Sequence, residues 1–217
     1  MEQMSPAEQE RRYYDLNRRV YPLFAPFYDL VASPLHSLRR AVVEQAALPP
    51  GARVLDVATG TGAQALAFAP RAREVVGLDL SEAMLRIARA KNRFPQVRFV
   101  QGDATRLPWP DSDFDASCIS FGLHEMPSEV RTRVLGELSR VTRPDGKVVV
   151  VDYALPESRP FAWLAVHMIS LYERDHYADF VRSDLGAALE QAGLTVISRR
   201  PALRGVATVI VSRRAAQ

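Results

Sequence analysis

The chain has 217 residues, 47% apolar and 24% charged, with a net charge of +3, the proportions of a single globular domain over 1–217, which excludes a disordered chain. The longest apolar stretch, 161–169, contains His167 and is far short of the roughly 20 residues of a membrane span. The stretch MEQMSPAEQERRYYDLNRR has no apolar run of signal-peptide type, and a single cysteine, Cys118, excludes an intrachain disulfide, so a cytoplasmic protein is expected.

In chain order, residues 1–50 read as N-terminal cap helices, the second closed by LPPG. RVLDVA at 53–58 is a strand candidate, followed by a helical run at 63–69. EVVGLD at 74–79 is the next strand, and Ser81 is placed to cap a helix over 82–91. VRFVQG at 97–102 is the third, after which DATRLPWPDSDF leaves room for only a short turn. FDASCIS at 114–120 is the fourth strand. Ser128 is placed to cap a helix over 129–141 that carries Val130, Val134, Leu138 and Val141 on one stripe. KVVVVDY at 147–153 is the fifth strand, and 155–180 is a cap insertion, helical from Pro160. A helix over 183–191 stops at Gly193, and LTVISRRP and ATVIVSRR, joined by the short ALRG, read as an antiparallel hairpin. Strands alternating with helices imply an α/β fold: a doubly wound, mostly parallel seven-stranded Rossmann-like sheet with an antiparallel C-terminal hairpin.

Gly60 and Gly62 follow the first strand at the spacing G-x-G, where missing side chains let a ligand approach the backbone. Asp56, four residues earlier, would repel a pyrophosphate and suits a cation or a hydrogen-bond donor. Asp79 ends the second strand, where it suits the hydroxyls of a ribose, and Asp103 follows the third. Three acids at the carboxyl ends of three successive parallel strands converge on one crevice. S-adenosylmethionine, whose ammonium, ribose and adenine amine are all donors, satisfies them together.

VLDVATGTG, VVGLDLS, VQGDATRLPWPDSDFDA and RVTRPDGKVVVVDY resemble the ordered motifs of class I S-adenosylmethionine-dependent methyltransferases over 53–153. FDASCISFGLHEM resembles the FDxxxxSFGLRN stretch of the ubiquinone/menaquinone biosynthesis C-methyltransferase family. Tyr28 and Asp29 in FAPFYD, His36 in SPLHSLRR, and the GVATVIVSRR ending are similar to further motifs of that family. The resemblance implies cofactor contacts from Thr61, Asp79 with Leu80, Asp103 with Ala104, and Ser120, while Asp56, Gly60 and Gly62 match the wider class. His124 and Glu125 depart from it, standing where the family shows Arg and Asn, as does PDG at 144–146 in place of PGG.

His124 directly follows the fourth strand and is the candidate general base, with a backbone-bonded helix-entry residue as the alternative. Tyr28 is the second catalytic candidate. Together with His36, Tyr172, His176 and Tyr177 it lies in the two segments expected to roof the crevice, against simple helix packing for each. Cys118 reads as buried and inert, and no His or Cys spacing suggests a metal. The implied activity is methyl transfer from S-adenosylmethionine to a small, apolar acceptor such as a quinone precursor. A lipid or other N- or O-methyl acceptor, or cofactor binding without catalysis, stays open beside it, as does peripheral membrane contact. The spread of basic residues, and SFGLHE where base methyltransferases carry N/D-P-P-Y/F, argue against nucleic acid.

Overall fold

The computed structural model describes residues 4–19, 35–155 and 176–215. Its elements in chain order are α1 (Pro6–Arg19), α2 (His36–Ala46), β1 (Arg53–Val57), α3 (Ala63–Phe68), β2 (Glu74–Asp79), α4 (Glu82–Lys91), β3 (Val97–Gln101) and β4 (Phe114–Ser120). They continue with α5 (Ser128–Val141), β5 (Thr142–Tyr153), α6 (Tyr177–Arg182), α7 (Leu185–Gln191), β6 (Leu194–Ala202) and β7 (Ala207–Arg214).

The seven strands form one sheet in the order β3-β2-β1-β4-β5-β7-β6. The first five pair in parallel, and β7 runs antiparallel to both β5 and β6. The order reverses between β1 and β4, so the crevice for a ligand opens at the carboxyl ends of these two strands.

Both faces of the sheet are covered, which is why the central strands read as near-continuous apolar runs. In β5, Val148 and Val150 join the core under α5 with Val134 and Leu138, whereas Val149 and Val151 join the opposite core with Val42 of α2 and Phe68 of α3. Consecutive strand residues face opposite sides, so four valines in a row serve two cores. Cys118 is fully buried in the second of them.

Several boundaries differ from the sequence expectation. Ser81 caps α4 by accepting the Met84 amide at 3.4 Å, as expected. Ser128 is instead the first residue of α5, whose N-cap is Pro127 with no side-chain bond. Asp184, not Ser183, caps α7, because its carboxylate reaches the Ala187 amide at 3.1 Å. β5 begins at Thr142, five residues earlier than KVVVVDY, through an irregularity between the Phe114 and Ala116 pairings of β4. Tyr28, Tyr172 and most of the 155–180 insertion lie outside the described residues.

Candidate active site

The β1–α3 turn owes its shape to backbone that only small residues tolerate easily. Gly60 and Gly62 have φ of +55° and +79°. A Cβ on Gly62 would sit 2.6 Å from the Phe99 ring and 2.9 Å from Ala88, so that glycine serves close packing. A Cβ on Gly60 would meet nothing within 4 Å, so Gly60 faces open space where a ligand can approach. Ala58 and Phe121, at the ends of β1 and β4, also hold positive φ, of +52° and +53°. Both line the crevice beside Gly60, strained non-glycine backbone of the kind that collects at functional sites.

Asp79 is locked in place from behind. One carboxylate oxygen accepts the Gly60 amide at 2.7 Å and the other the Ser81 amide at 2.8 Å. Burial raises its pKa, against the opposing pull of those amides. Its carboxylate lines the crevice together with Leu80, Gly102 and Ala104.

Asp56 lies behind the turn, 1% exposed. One of its oxygens accepts the Thr59 hydroxyl at 2.5 Å, and the other lacks a close hydrogen-bond partner. Burial pushes this carboxyl up to about 7, against the opposing effect of Thr59 and the Ala65 amide. Asp56 does not line the crevice, and a cation or strong donor that reached its open oxygen would favour the charged form. Thr61 is buried, and Ser120 places its hydroxyl 3.5 Å from the Cys118 sulfur.

Asp103 is already engaged on both oxygens. Oδ1 accepts the amide and hydroxyl of Thr105, both at 2.8 Å, and Oδ2 accepts the phenol of Tyr14 at 2.7 Å. Tyr14 belongs to α1, whose Tyr13 and Asn17 also line the crevice. A second tie, from Arg133 on α5 to Glu10 at 2.5 Å, holds the same helix. With α1 seated this way the crevice leaves about 60 Å3 of open space, well below the roughly 300 Å3 at the small end for a ligand pocket. Asp79 in the crevice and the open oxygen of Asp56 behind it suit the donors of S-adenosylmethionine. The aromatic pair Tyr13–Tyr14 went unread in the sequence, and its only signal was RRYYDL on an otherwise polar helix.

Immediately after β4 a single turn, Leu123–Glu125, carries His124, which is 2% exposed. Its Nδ1 lies 2.7 Å from Oδ1 of Asp152 at the end of β5. That carboxylate, fully buried, also accepts the amides of Leu123, His124 and Tyr153 at 2.9, 3.3 and 2.8 Å. The imidazole proton is therefore directed to Nδ1, and Nε2 is left as the basic nitrogen, 3.9 Å from the Glu125 carboxylate. The His124 ring meets Tyr153 edge-on at 4.7 Å, and Tyr153 meets Phe121 at 5.3 Å and Tyr177 at 5.2 Å. Asp152 was quoted only as part of a strand in the sequence, because its role appears once β4 and β5 end side by side.

Of the expected roof, Tyr177 is buried against Tyr153 and His176 precedes α6. His36 is placed elsewhere: it lines a depression with Arg40, Pro49 and Arg71 and not the crevice, since α2 packs on the far side with α3. Among the described residues no group of His, Cys, Asp and Glu could hold a metal, and no helix is long and apolar enough to cross a membrane.

This sheet order, with acids at the ends of β1, β2 and β3 around a glycine turn, defines a nucleoside-binding α/β enzyme fold. A methyltransferase-domain profile matches residues 54–146. An uncharacterized methyltransferase of Synechocystis is 34% identical over 196 residues, covering 89% of this chain and 91% of its own length. A demethylmenaquinone methyltransferase of Renibacterium salmoninarum is 42% identical over 142 residues, covering 63% of this chain. The chain spans 58% of that relative's length. Among solved structures, an S-adenosylmethionine-dependent methyltransferase of Aquifex aeolicus superposes with a TM-score of 0.67 at 20% identity, covering 98% of this chain and all of its own, a likeness of fold. The chain belongs to the class I S-adenosylmethionine-dependent methyltransferases. Within that class it is related to the quinone methyltransferases.

Proposed function

We propose that this protein transfers the methyl group of S-adenosylmethionine to a small, largely apolar acceptor, with a quinone precursor the first to test. The observation that carries the reading is the aromatic cluster of Phe121, Tyr153 and His124 at the β4 and β5 ends, of which Phe121 lines the crevice with Asp79. The names of relatives such as the Renibacterium salmoninarum enzyme support a quinone.

S-adenosylmethionine supplies an activated methyl group on a sulfonium. The chain's residues bind, align and exclude water. Asp79 would hold the ribose hydroxyls, Asp103 and Ala104 the adenine, and Asp56 the ammonium side, with Gly60 leaving the ligand room. The buried aromatic wall keeps water from the reacting carbon. His124, held in one tautomer by Asp152, removes the acceptor's proton through Nε2, directly or through one water.

Calorimetry with S-adenosylmethionine, its demethylated product and NAD tests the cofactor, and labelled methyl transfer to demethylmenaquinone and to acid-bearing naphthoquinols tests the acceptor. Binding of the first two without NAD, followed by transfer, is the expected outcome. Cofactor binding with no transfer to quinone, lipid or amine acceptors would leave a protein that binds the cofactor without catalysis.

A further inference from the structure

The second depression at this sheet edge has no counterpart in the sequence reading. It lies beyond Tyr153, between the end of β5, α6 and the β6–β7 hairpin, with about 850 Å3 of open space. Tyr153, Leu155, Phe180 and Leu203 give it an apolar lining, and Arg199 and Arg204 stand in the same lining with no carboxylate among the described residues. Some arginines of this chain meet acids, among them Arg53 and Arg98 with Glu74 and Arg140 with Glu137, whereas Arg199 and Arg204 are exposed at the cleft. Arg199 and Arg204 form no ion pair with any described carboxylate.

The hairpin tip is also strained. Leu203 and Arg204 are consecutive non-glycine residues at φ of +48° and +58°. The β6–β7 pairing of Ala202 with Ala207 holds them there. That conformation keeps a half-exposed leucine and a cation at the cleft, and strain of this kind persists only where the surrounding structure over-determines it. Leu155 is likewise exposed beside it. Tyr153 lines the cleft, and its ring also meets His124 edge-on at 4.7 Å.

We propose that this cleft binds the methyl acceptor, and that the acceptor is an apolar body bearing an acidic group, a carboxylate or a phosphate, taken by Arg199 and Arg204. The assignment to the acceptor rests on the methyltransferase reading above. The selectivity for an apolar anion rests on the cleft alone. An arginine pair offers a planar fork to either acid, and the apolar lining accepts the body that carries it.

The test is equilibrium binding of three probes to the full chain saturated with demethylated cofactor: naphthoate, naphthyl phosphate and neutral naphthol. Naphthoate or naphthyl phosphate should bind at one site, and the tighter of the two tells which acid the arginines prefer. Arg199→Gln and Arg204→Gln should each weaken anion binding about tenfold, the loss of one charge-assisted contact, while leaving cofactor affinity unchanged. Naphthol binding as tightly as the anions, no binding by any probe, or anion affinity unaltered in both variants would overturn the proposal. Arginine-dependent anion binding without methyl transfer to any acceptor would instead keep the cleft and remove the enzymatic reading. Transfer to an acid-bearing naphthoquinol undiminished in both variants would overturn the cleft as the acceptor site and keep the enzyme.

Discussion

Two depressions share one edge of the sheet, and they are built in opposite ways. The crevice over the ends of β1, β2 and β3 is narrow and acidic, with Asp79 clamped by the amides of Gly60 and Ser81. The cleft over the ends of β5, β7 and β6 is wide and carries only cationic side chains among its charged lining residues, both of them from the β6–β7 hairpin. Opposite charge at the two ends of one sheet edge suits each depression to a ligand that the other would repel.

The wall between the two halves gives the sharpest break. His124→Gln should reduce turnover by about 10²–10⁴-fold, the ordinary contribution of a general base, with cofactor affinity within about threefold of the native value. Steady-state kinetics beside calorimetry separates the two, and an equal loss in both would make His124 a packing residue. On the crevice side, Asp79→Ala removes a bidentate acceptor whose bonds are worth about 1.5–3 kcal/mol each. Cofactor affinity should drop on the order of 10²-fold while anion binding in the cleft stays as it was, and a parallel loss of both would show the halves to be one site.

Asp56 gives the crevice a pH signature that the cleft should lack. Its carboxyl is raised from 3.8 to about 7, chiefly by burial. The folded chain therefore holds a proton there that the unfolded chain has released, so the contribution favours folding below about pH 4 and is lost as pH rises through about 7. Cofactor affinity runs the other way, strengthening between about pH 6 and 8 as the carboxylate forms to meet the ammonium, by up to about tenfold. Asp56→Asn should flatten both slopes in urea denaturation and calorimetry. A pH dependence of binding that survives the substitution belongs to another group.

The smallest contrast concerns the two turns. Gly62→Ala forces a Cβ into Phe99 at positive φ and should cost about 1–3 kcal/mol in unfolding free energy. Leu203→Gly relieves the hairpin tip and should change stability by less than about 1 kcal/mol either way. Equal costs at both would mean that the tip is as tightly packed as the glycine turn.

The same division governs what the amino-acid sequence disclosed. The five parallel strands and the hairpin were legible because period-2 alternation and buried valine runs are local signals, and the acids at strand ends were legible because topology converts strand termini into one edge. Arg199 and Arg204 were invisible as a pair, since nothing in ISRRPALRG shows that they face a hydrophobic hollow beside Tyr153. Asp152 was hidden for a related reason: its partner, His124, is 28 positions away and meets it only across two paired strands. Ser128 misled because a serine before an apolar stripe is a fair cap candidate, yet the preceding proline takes that position with its own extended backbone.

If helix α1 opens to admit the cofactor, it would set a clock for the enzyme. Held to Asp103 through Tyr14 and to Arg133 through Glu10, it lies over the crevice like a latch with two catches. In that case cofactor and product would both pass when the catches part, and exchange between them would proceed at the opening frequency of a helix rather than at the rate of encounter in solution. A chain with weaker catches would load and unload faster, and the residence time of the spent cofactor would depend on Tyr14 and Glu10.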